Sequence, residues 1–127
     1  MALEASGLEE TYKAIEKMAR QNIKAEKAAV LAGAQMMADG LEKNTPFDSD
    51  SGNKKHLKSD VFYSKPREDG EIYSTVGYGK ETAYRLHFTN FGTIKQRPQS
   101  FIERTINEYE QLVLSKMQSV YRGLLGL

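Results

Sequence analysis

The sequence has 127 residues, the size of a single domain that can bury one core without disulfides or metals. Its 18 Lys and Arg residues nearly balance 17 Asp and Glu residues, for a net charge of +1, so a strongly basic DNA-binding surface is not expected. The absence of cysteine excludes disulfides, thiolate zinc sites and cysteine nucleophiles. The start lacks a basic signal region, and the most apolar stretch, 28–38, is shorter than the ~20 residues of a membrane span, so no membrane association is predicted.

Apolar residues recur at three- and four-residue steps through the first forty positions, which predicts an amphipathic helix over 6–43. Ser6 and Glu9 have the spacing of a capping box and are predicted to start this helix. At about 55 Å, it would be longer than a small domain can cover, so part of its apolar face is expected to contact a partner. The residues that weaken the helix, where a bend is predicted, are Gln21, Asn22, Glu26, Lys27 and Gly33. The apolar positions are Leu8, Tyr12, Ile15, Ala19, Ile23, Val30, Ala34, Met37 and Leu41.

The middle of the chain predicts a loop followed by a hairpin. Residues 47–56 are polar and rich in turn formers, and are interpreted as a mobile surface loop. Residues 57–65 and 71–78 are rich in β-branched and aromatic side chains around a turn at 66–70, which indicates a β-hairpin over 57–79. Alternation along the second strand predicts one buried face and one exposed face. The buried face would hold Ile72, Ser74, Val76 and Tyr78, and the other Tyr73 and Thr75.

The rest of the chain is predicted to be mainly helical. Residues 81–91 fit either a helical stripe or strand alternation, and a short helix is the preferred interpretation. The clearest amphipathic pattern predicts a helix over 100–122, with a capping box of Ser100 and Glu103 and a left-handed stop at Gly123. The predicted fold is a single α+β domain over 1–127, with long N- and C-terminal helices packed on a small antiparallel sheet that contains the hairpin.

No motif for chemistry is complete. For His56 and His87 the only nearby carboxylate at ligand-like spacing is Asp60, which lies on a loop-to-strand passage and not on a helix face shared with His56. Asp48 and Asp50 resemble the start of a calcium loop, but the pattern fails at later positions. The segment 77–80 lacks the glycine spacing and following Ser or Thr of a phosphate-binding loop. No catalytic residue, metal site or cofactor is therefore predicted, and the protein is not expected to be an enzyme.

Basic residues cluster around the polar loop. They are Lys54, Lys55, His56 and Lys58, with Lys65, Arg67, Lys95 and Arg97 as possible additions. Such a run is most often a solvated loop, but it could instead contact an acidic partner or the DNA backbone. Aromatic residues are not interleaved with it, which argues against stacking on single-stranded bases.

Several segments together resemble the small tail-component proteins of long-tailed double-stranded-DNA bacteriophages, also called tail-completion or head-to-tail joining proteins. The long helix stops at Thr45-Pro46, and 56–61 leads into a strand. Further on, Phe91-Gly92-Thr93 is followed by a short basic loop and a Pro-x-x-Phe helix start over 94–102. The sequence departs from many relatives at Asn90, where they carry glutamate.

The resemblance implies a structural virion protein of a siphophage neck, which completes the tail or joins it to the DNA-filled head. It implies a homo-oligomeric ring, with six copies expected, that assembles in the host cytoplasm and contacts connector and tail-tube proteins while DNA passes through unread. Two alternatives stay open. One is a tail terminator that caps the tube, and the other is a nucleic-acid-binding module that uses the lysine-rich loop.

Two polar loops, 48–58 and 93–99, are the predicted assembly contacts, with Gly92 as a hinge between Phe91 and the second loop. The prediction depends on their polarity and on their lack of any regular period. The predicted contact residues are Asp48, Asp50, Lys54, Lys55, His56, Lys58, Gly92, Thr93, Lys95 and Arg97.

Overall fold

The computed structural model describes residues 2–46, 57–79 and 100–127. They form two long helices and two small antiparallel sheets, so the predicted α+β class is confirmed. In chain order the elements are helix α1 (Ala2–Asn44), a 3-10 turn (Leu57–Asp60), strands β1 (Val61–Tyr63), β2 (Arg67–Asp69), β3 (Glu71–Tyr73) and β4 (Val76–Tyr78), and helix α2 (Phe101–Leu125). The predicted loop over 47–56 and short helix over 81–91 lie outside the described residues.

The two helices pack against each other in antiparallel orientation. Tyr121, near the end of α2, donates a hydrogen bond to Asn22, while Thr105, near its start, lies against Asn44 at the end of α1. Small side chains on α1 allow this close packing. The buried apolar residues of α1 are Ala25, Ala29, Ala34, Ala38 and Leu41.

Gly33 and Gly40 explain why a long helix tolerates glycine in its interior. A Cβ at Gly33 would lie 2.7 Å from the Met117 sulfur, and one at Gly40 would lie 2.7 Å from the Tyr109 ring. Both glycines therefore serve the close approach of α2 to α1. The bend predicted near Gly33 does not interrupt the helix, since α1 is continuous over its 43 residues.

The central segment forms the predicted hairpin, with a bulge in the middle. β1 pairs with β4 in the register Val61 to Tyr78, while β2 pairs with β3 in the register Arg67 to Tyr73. Between the two pairings, three residues (64–66) face two residues of the other strand, so the ladder shifts by one position. Pro66, which cannot donate to a ladder, lies in this bulge.

The boundaries of the hairpin differ from the sequence prediction. The first predicted strand starts too early, because Leu57–Asp60 is a 3-10 turn. The hairpin reverses at Gly70, with φ of 76°, instead of over the whole of 66–70. The predicted faces are confirmed, since Ile72, Ser74, Val76 and Tyr78 are partly buried while Tyr73 and Thr75 are exposed.

The predicted helix ends need three corrections. α1 begins at Ala2, so Ser6 lies inside the helix and is not its N-cap. Ser100 does precede α2, but it has a left-handed backbone (φ 46°) and its side chain makes no cap hydrogen bond, so the reciprocal capping box does not form. α2 continues past Gly123 to Gly126, whose φ is 73°. There the amide of Leu127 donates to the Arg122 carbonyl at 2.9 Å, which closes the helix as a Schellman motif.

Candidate assembly interface

A cluster that we call the junction (Asn44, Thr45, Tyr78, Phe101 and Thr105) joins the end of α1, strand β4 and the start of α2. Thr45 is 2% exposed, and its hydroxyl donates to the Leu41 carbonyl at 2.5 Å. The Tyr78 hydroxyl therefore donates to the Thr45 oxygen, 2.6 Å away. The Tyr78 ring meets the fully buried Phe101 ring edge-on, with centroids 6.3 Å apart.

Burial raises the pKa of Tyr78 to about 12, with the hydrogen bond to Thr45 opposing part of this rise. The phenol is therefore neutral at physiological pH. It can act as a hydrogen-bond donor in the junction but not as a base, which is consistent with a structural role for this residue.

Polar contacts also tie α1 to the first turns of α2. The Asn44 amide donates to Thr105 Oγ1 at 2.9 Å and to Glu108 Oε2 at 3.2 Å. In return, the Arg104 guanidinium donates to the Asn44 carbonyl at 3.3 Å. The bond from Arg104 satisfies a backbone carbonyl at the end of α1 that has no partner within the helix, and the two side-chain bonds of Asn44 fix the start of α2 against it.

The junction lies where the two segments that contain the predicted assembly loops, 47–56 and 80–99, leave and re-enter the described residues. The chain leaves α1 just after Thr45, and it returns at the 3-10 turn, where Lys58 Nζ donates to the Lys43 carbonyl at 3.3 Å. It leaves β4 at Gly79, whose amide donates to Asp60 at 3.1 Å, and returns at Ser100 beside Phe101. The segments 47–56 and 80–99, which contain the predicted loops, therefore both leave and re-enter the described residues at this end of the molecule.

Of the predicted contact residues, Lys58 alone lies among the described residues. Its ammonium group is at the C-terminus of α1, where a cation is favoured by the helix dipole, so it stabilises the fold locally. The predicted contact roles of all ten residues stay predictions. The other nine, outside the described residues, are Asp48, Asp50, Lys54, Lys55, His56, Gly92, Thr93, Lys95 and Arg97.

Lys58 and Arg67 were both candidates for one basic cluster on the basis of the sequence, but they lie apart in the structure. Lys58 contacts Lys43 of α1, whereas Glu68, next to Arg67, pairs with Lys27 at 3.3 Å. Lys27 and Lys43 are sixteen residues apart on one helix, roughly 24 Å at about 1.5 Å per residue. Lys58 and Arg67 therefore lie apart and do not belong to one compact basic cluster.

At the other end of the molecule, α1 extends past the end of α2. Every residue of 7–21, which we call the arm, is exposed. The helix is thus longer than the described residues cover, as its length predicted. The arm carries large apolar side chains with high exposed fractions: Leu8 70%, Tyr12 66%, Ile15 59% and Met18 66%.

The sequence pattern favoured the loops as the candidate site and did not single out the arm, although three of the arm's four large apolar residues belong to the predicted stripe. The missed residue is Met18. A usable signal was present in the lengths of the helices, because 43 residues of α1 face only 25 residues of α2. An antiparallel partner that much shorter leaves several turns of the longer helix uncovered.

An open groove of about 590 Å³ lies between α1, β3 and α2. Its walls are mainly apolar, and Leu114 in one wall is 47% exposed. Such a groove can accept an apolar side chain, but its only charged lining residues are Glu26 and Glu71. Among the described residues, no cluster of His, Cys, Asp and Glu could hold a metal ion. The groove is lined by Glu26, Ala29, Val30, Gly70, Glu71, Ile72, Leu114, Met117, Gln118 and Tyr121.

Comparison with known families identifies the kind of protein. A family model described as "Bacteriophage HK97-gp10, putative tail-component" matches residues 9–92, about two thirds of the chain. The chain belongs to this family of phage tail components. No curated protein and no solved structure matches the chain significantly.

The family match confirms the resemblance seen in the sequence, to tail-component proteins of phages. It covers the arm from Glu9 onward, the hairpin and Gly92, and it stops before α2. The basic loop and Pro-x-x-Phe step over 94–102 lie outside the matched residues. Within the described residues, neither helix contains a segment apolar enough to cross a membrane.

Proposed function

We propose that this tail component works in the neck of a siphophage, where it completes the tail or joins it to the DNA-filled head. It acts as a binding subunit of a homo-oligomeric ring and catalyses no reaction. Six copies, contacts with connector and tail-tube proteins, and passage of DNA through the ring are the expectations that come with the sequence resemblance.

One observation carries the proposal: the exposed arm and the junction, from which the segments with the predicted loops depart, lie at opposite ends of one continuous helix. From Ile15 in the arm to Asn44 in the junction, α1 spans roughly 43 Å at about 1.5 Å per residue. A subunit that bridges two parts of a particle needs separate surfaces for neighbours on different sides. The junction is suited to support loops that bind, because the residues around their attachment points are buried and hydrogen-bonded.

A phage that lacks the gene tests the proposal. A joining or completion role predicts that filled heads and tails of normal length accumulate separately, and that the added protein restores joining. A tail terminator predicts overlong tubes instead, because nothing would stop their growth. Electron microscopy of lysates separates the two, and joined infectious particles without the protein would refute both.

The nucleic-acid alternative has a direct test. Filter binding of the full chain to duplex DNA across a salt series should show no binding that weakens steeply with salt, because Lys58 and Arg67 lie apart and the chain has a net charge of only +1. A salt dependence equivalent to several phosphate contacts would favour DNA binding over the neck role.

A further inference from the structure

The groove between α1, β3 and α2 combines apolar walls with negative charge that no basic residue balances. Its apolar lining includes Ala29 and Ile72, and its only charged lining residues are Glu26 and Glu71. Asn22 donates a hydrogen bond to Glu26 at 3.0 Å, but within the described part of the chain neither carboxylate forms an ion pair. A segment that fills this groove should therefore be apolar and carry a positive charge.

Helix α2 carries a surface of this kind on the flank that faces away from the groove. Leu112 and Lys116, four residues apart, share one flank of the helix, and Gly123 continues it seven residues later. We call these three residues the back face. Leu114 of the groove wall is two residues from both Leu112 and Lys116, so it lies about 200° away around the helix axis. The groove and the back face therefore point in roughly opposite directions.

The back face matches the groove in charge, apolar character and shape. Leu112 is 57% exposed, and Lys116 forms no ion pair within the part of the chain that the structure describes. Residues 111–127 contain no Asp or Glu, whereas no basic residue lines the groove. A Cβ at Gly123 would meet nothing within 4 Å, so this flank of the helix is open to a neighbour. The convex helix flank can thus fill the concave groove of another copy.

The opposite directions of the two surfaces fix the type of assembly. A chain cannot place its own back face in its own groove, and one neighbour cannot occupy both surfaces at once. Each copy must therefore contact two neighbours, one through the groove and one through the back face. Such a head-to-tail contact produces a ring when the rotation between neighbours closes, whereas a twofold contact stops at the dimer.

We propose that the back face of one copy binds in the groove of the next copy and brings the Lys116 ammonium to the carboxylates of Glu26 and Glu71. This is the subunit contact of the ring, so its place in a ring rests on the proposed function, whereas the pairing of the two surfaces rests on the described residues. From Leu112 to Gly123 the back face measures roughly 17 Å at about 1.5 Å per residue. So short a contact should make the free chain associate weakly and reversibly.

Sedimentation of the full-length chain over a range of protein concentrations tests the contact. The wild type should associate reversibly beyond the dimer, because each copy offers one groove and one back face. Leu112→Asp should abolish this association, since it would place a third carboxylate in the groove. Ile15→Asp is the matched control, because Ile15 of the arm is 59% exposed against 57% for Leu112, and circular dichroism checks the fold of both variants. A wild-type monomer at every concentration, or association that stops at the dimer, would overturn the proposal.

Charge reversal in the hairpin tests the groove side of the contact. Glu71→Lys should raise the dissociation constant about threefold to thirtyfold at low salt, because position 71 would then repel Lys116. Asp69→Lys is the matched control: Asp69 pairs with Glu71 across the hairpin and is also exposed, but it does not line the groove. Both substitutions change the net charge equally, so equal effects on the association would contradict the assigned contact.

Charge exchange between copies tests which surfaces meet. Lys116→Glu should weaken the association about as much as Glu71→Lys does. When the two variants are mixed, position 71 of each copy can face a back face of opposite charge on a copy of the other variant. The mixture should therefore associate within about threefold of the wild type. Two variants that do not recover on mixing would refute the pairing of the groove with the back face.

A phage that lacks the gene separates failure of this contact from failure of the proposed function. If the phage accumulates unjoined heads and tails while the purified chain associates without regard to Leu112→Asp and Glu71→Lys, the contact is wrong and the neck role stands. If the phage instead yields joined infectious particles while the mixed variants recover, the contact stands and the neck role is wrong.

Discussion

Gly40→Ala tests whether α1 and α2 are as closely packed as the structure indicates. A new Cβ would lie 2.7 Å from two Tyr109 ring carbons and 2.9 Å from Cγ. Because Cγ is the root of the ring, rotation of the ring about its own axis cannot relieve that contact. The helices or the whole Tyr109 side chain must shift, and overpacking of this kind costs about 2–3 kcal/mol.

Helix propensity acts in the opposite direction. Replacing glycine by alanine inside a helix stabilises it by about 1 kcal/mol, so the net loss in the free energy of unfolding should be about 1–2 kcal/mol. Gly123→Ala is the control, since the described residues place nothing within 4 Å of its new Cβ, and it should gain up to about 1 kcal/mol. Gly33→Ala should fall between them, because the atoms it meets belong to the flexible Met117 and to Val113.

Urea unfolding followed by circular dichroism measures these differences directly, since the chain has no tryptophan. In a Tyr109→Ala background, Gly40→Ala should no longer destabilise the protein, which would assign the loss to this one contact. A Gly40→Ala protein as stable as wild type would refute the close approach of the helices at this position.

Three further predictions concern the junction and the loops. Burial raises the pKa of Tyr78 from 10.0 to about 12. The folding stability that follows from this shift should be fully present below pH 10 and should fall as the pH rises from 10 to 12. Unfolding curves measured at alkaline pH should show a smaller fall for Tyr78→Phe than for the wild type. Ser100→Gly should stabilise the fold by about 0.5–1 kcal/mol, because glycine adopts the left-handed φ of 46° without strain and the serine side chain makes no cap hydrogen bond that would be lost. Chemical denaturation measures the difference, and a less stable variant would contradict the prediction. Charge reversal at Lys54 and Lys55 should reduce the yield of joined particles in complementation, and an unchanged yield would count against the loop as an assembly contact.

The sequence pattern was sufficient for the two helices, the hairpin and the family, but not for the boundaries of these elements. Helix periodicity and strand alternation are local properties, so both helices and the buried face with Ile72 and Val76 were predicted correctly. The breaks in pattern were less informative. Ser6 and Ser100 each have a glutamate three residues later, as in a capping box, but this short motif also occurs by chance. α1 begins at Ala2, before Ser6, and the Ser100 side chain makes no cap hydrogen bond.

Only the tertiary structure decided what the glycines and the helix lengths mean. In the sequence, Gly33 is a position that weakens the helix. In the structure it allows α2 to approach α1, because the Cβ of any other residue at this position would collide with Met117. The meeting of the chain ends that flank 47–56 and 80–99 depends on the contacts of Tyr78 with Thr45 and Phe101, residues far apart in sequence. The exposure of the arm likewise depends on where α2 ends against α1, which follows from long-range packing and not from any local pattern in the arm.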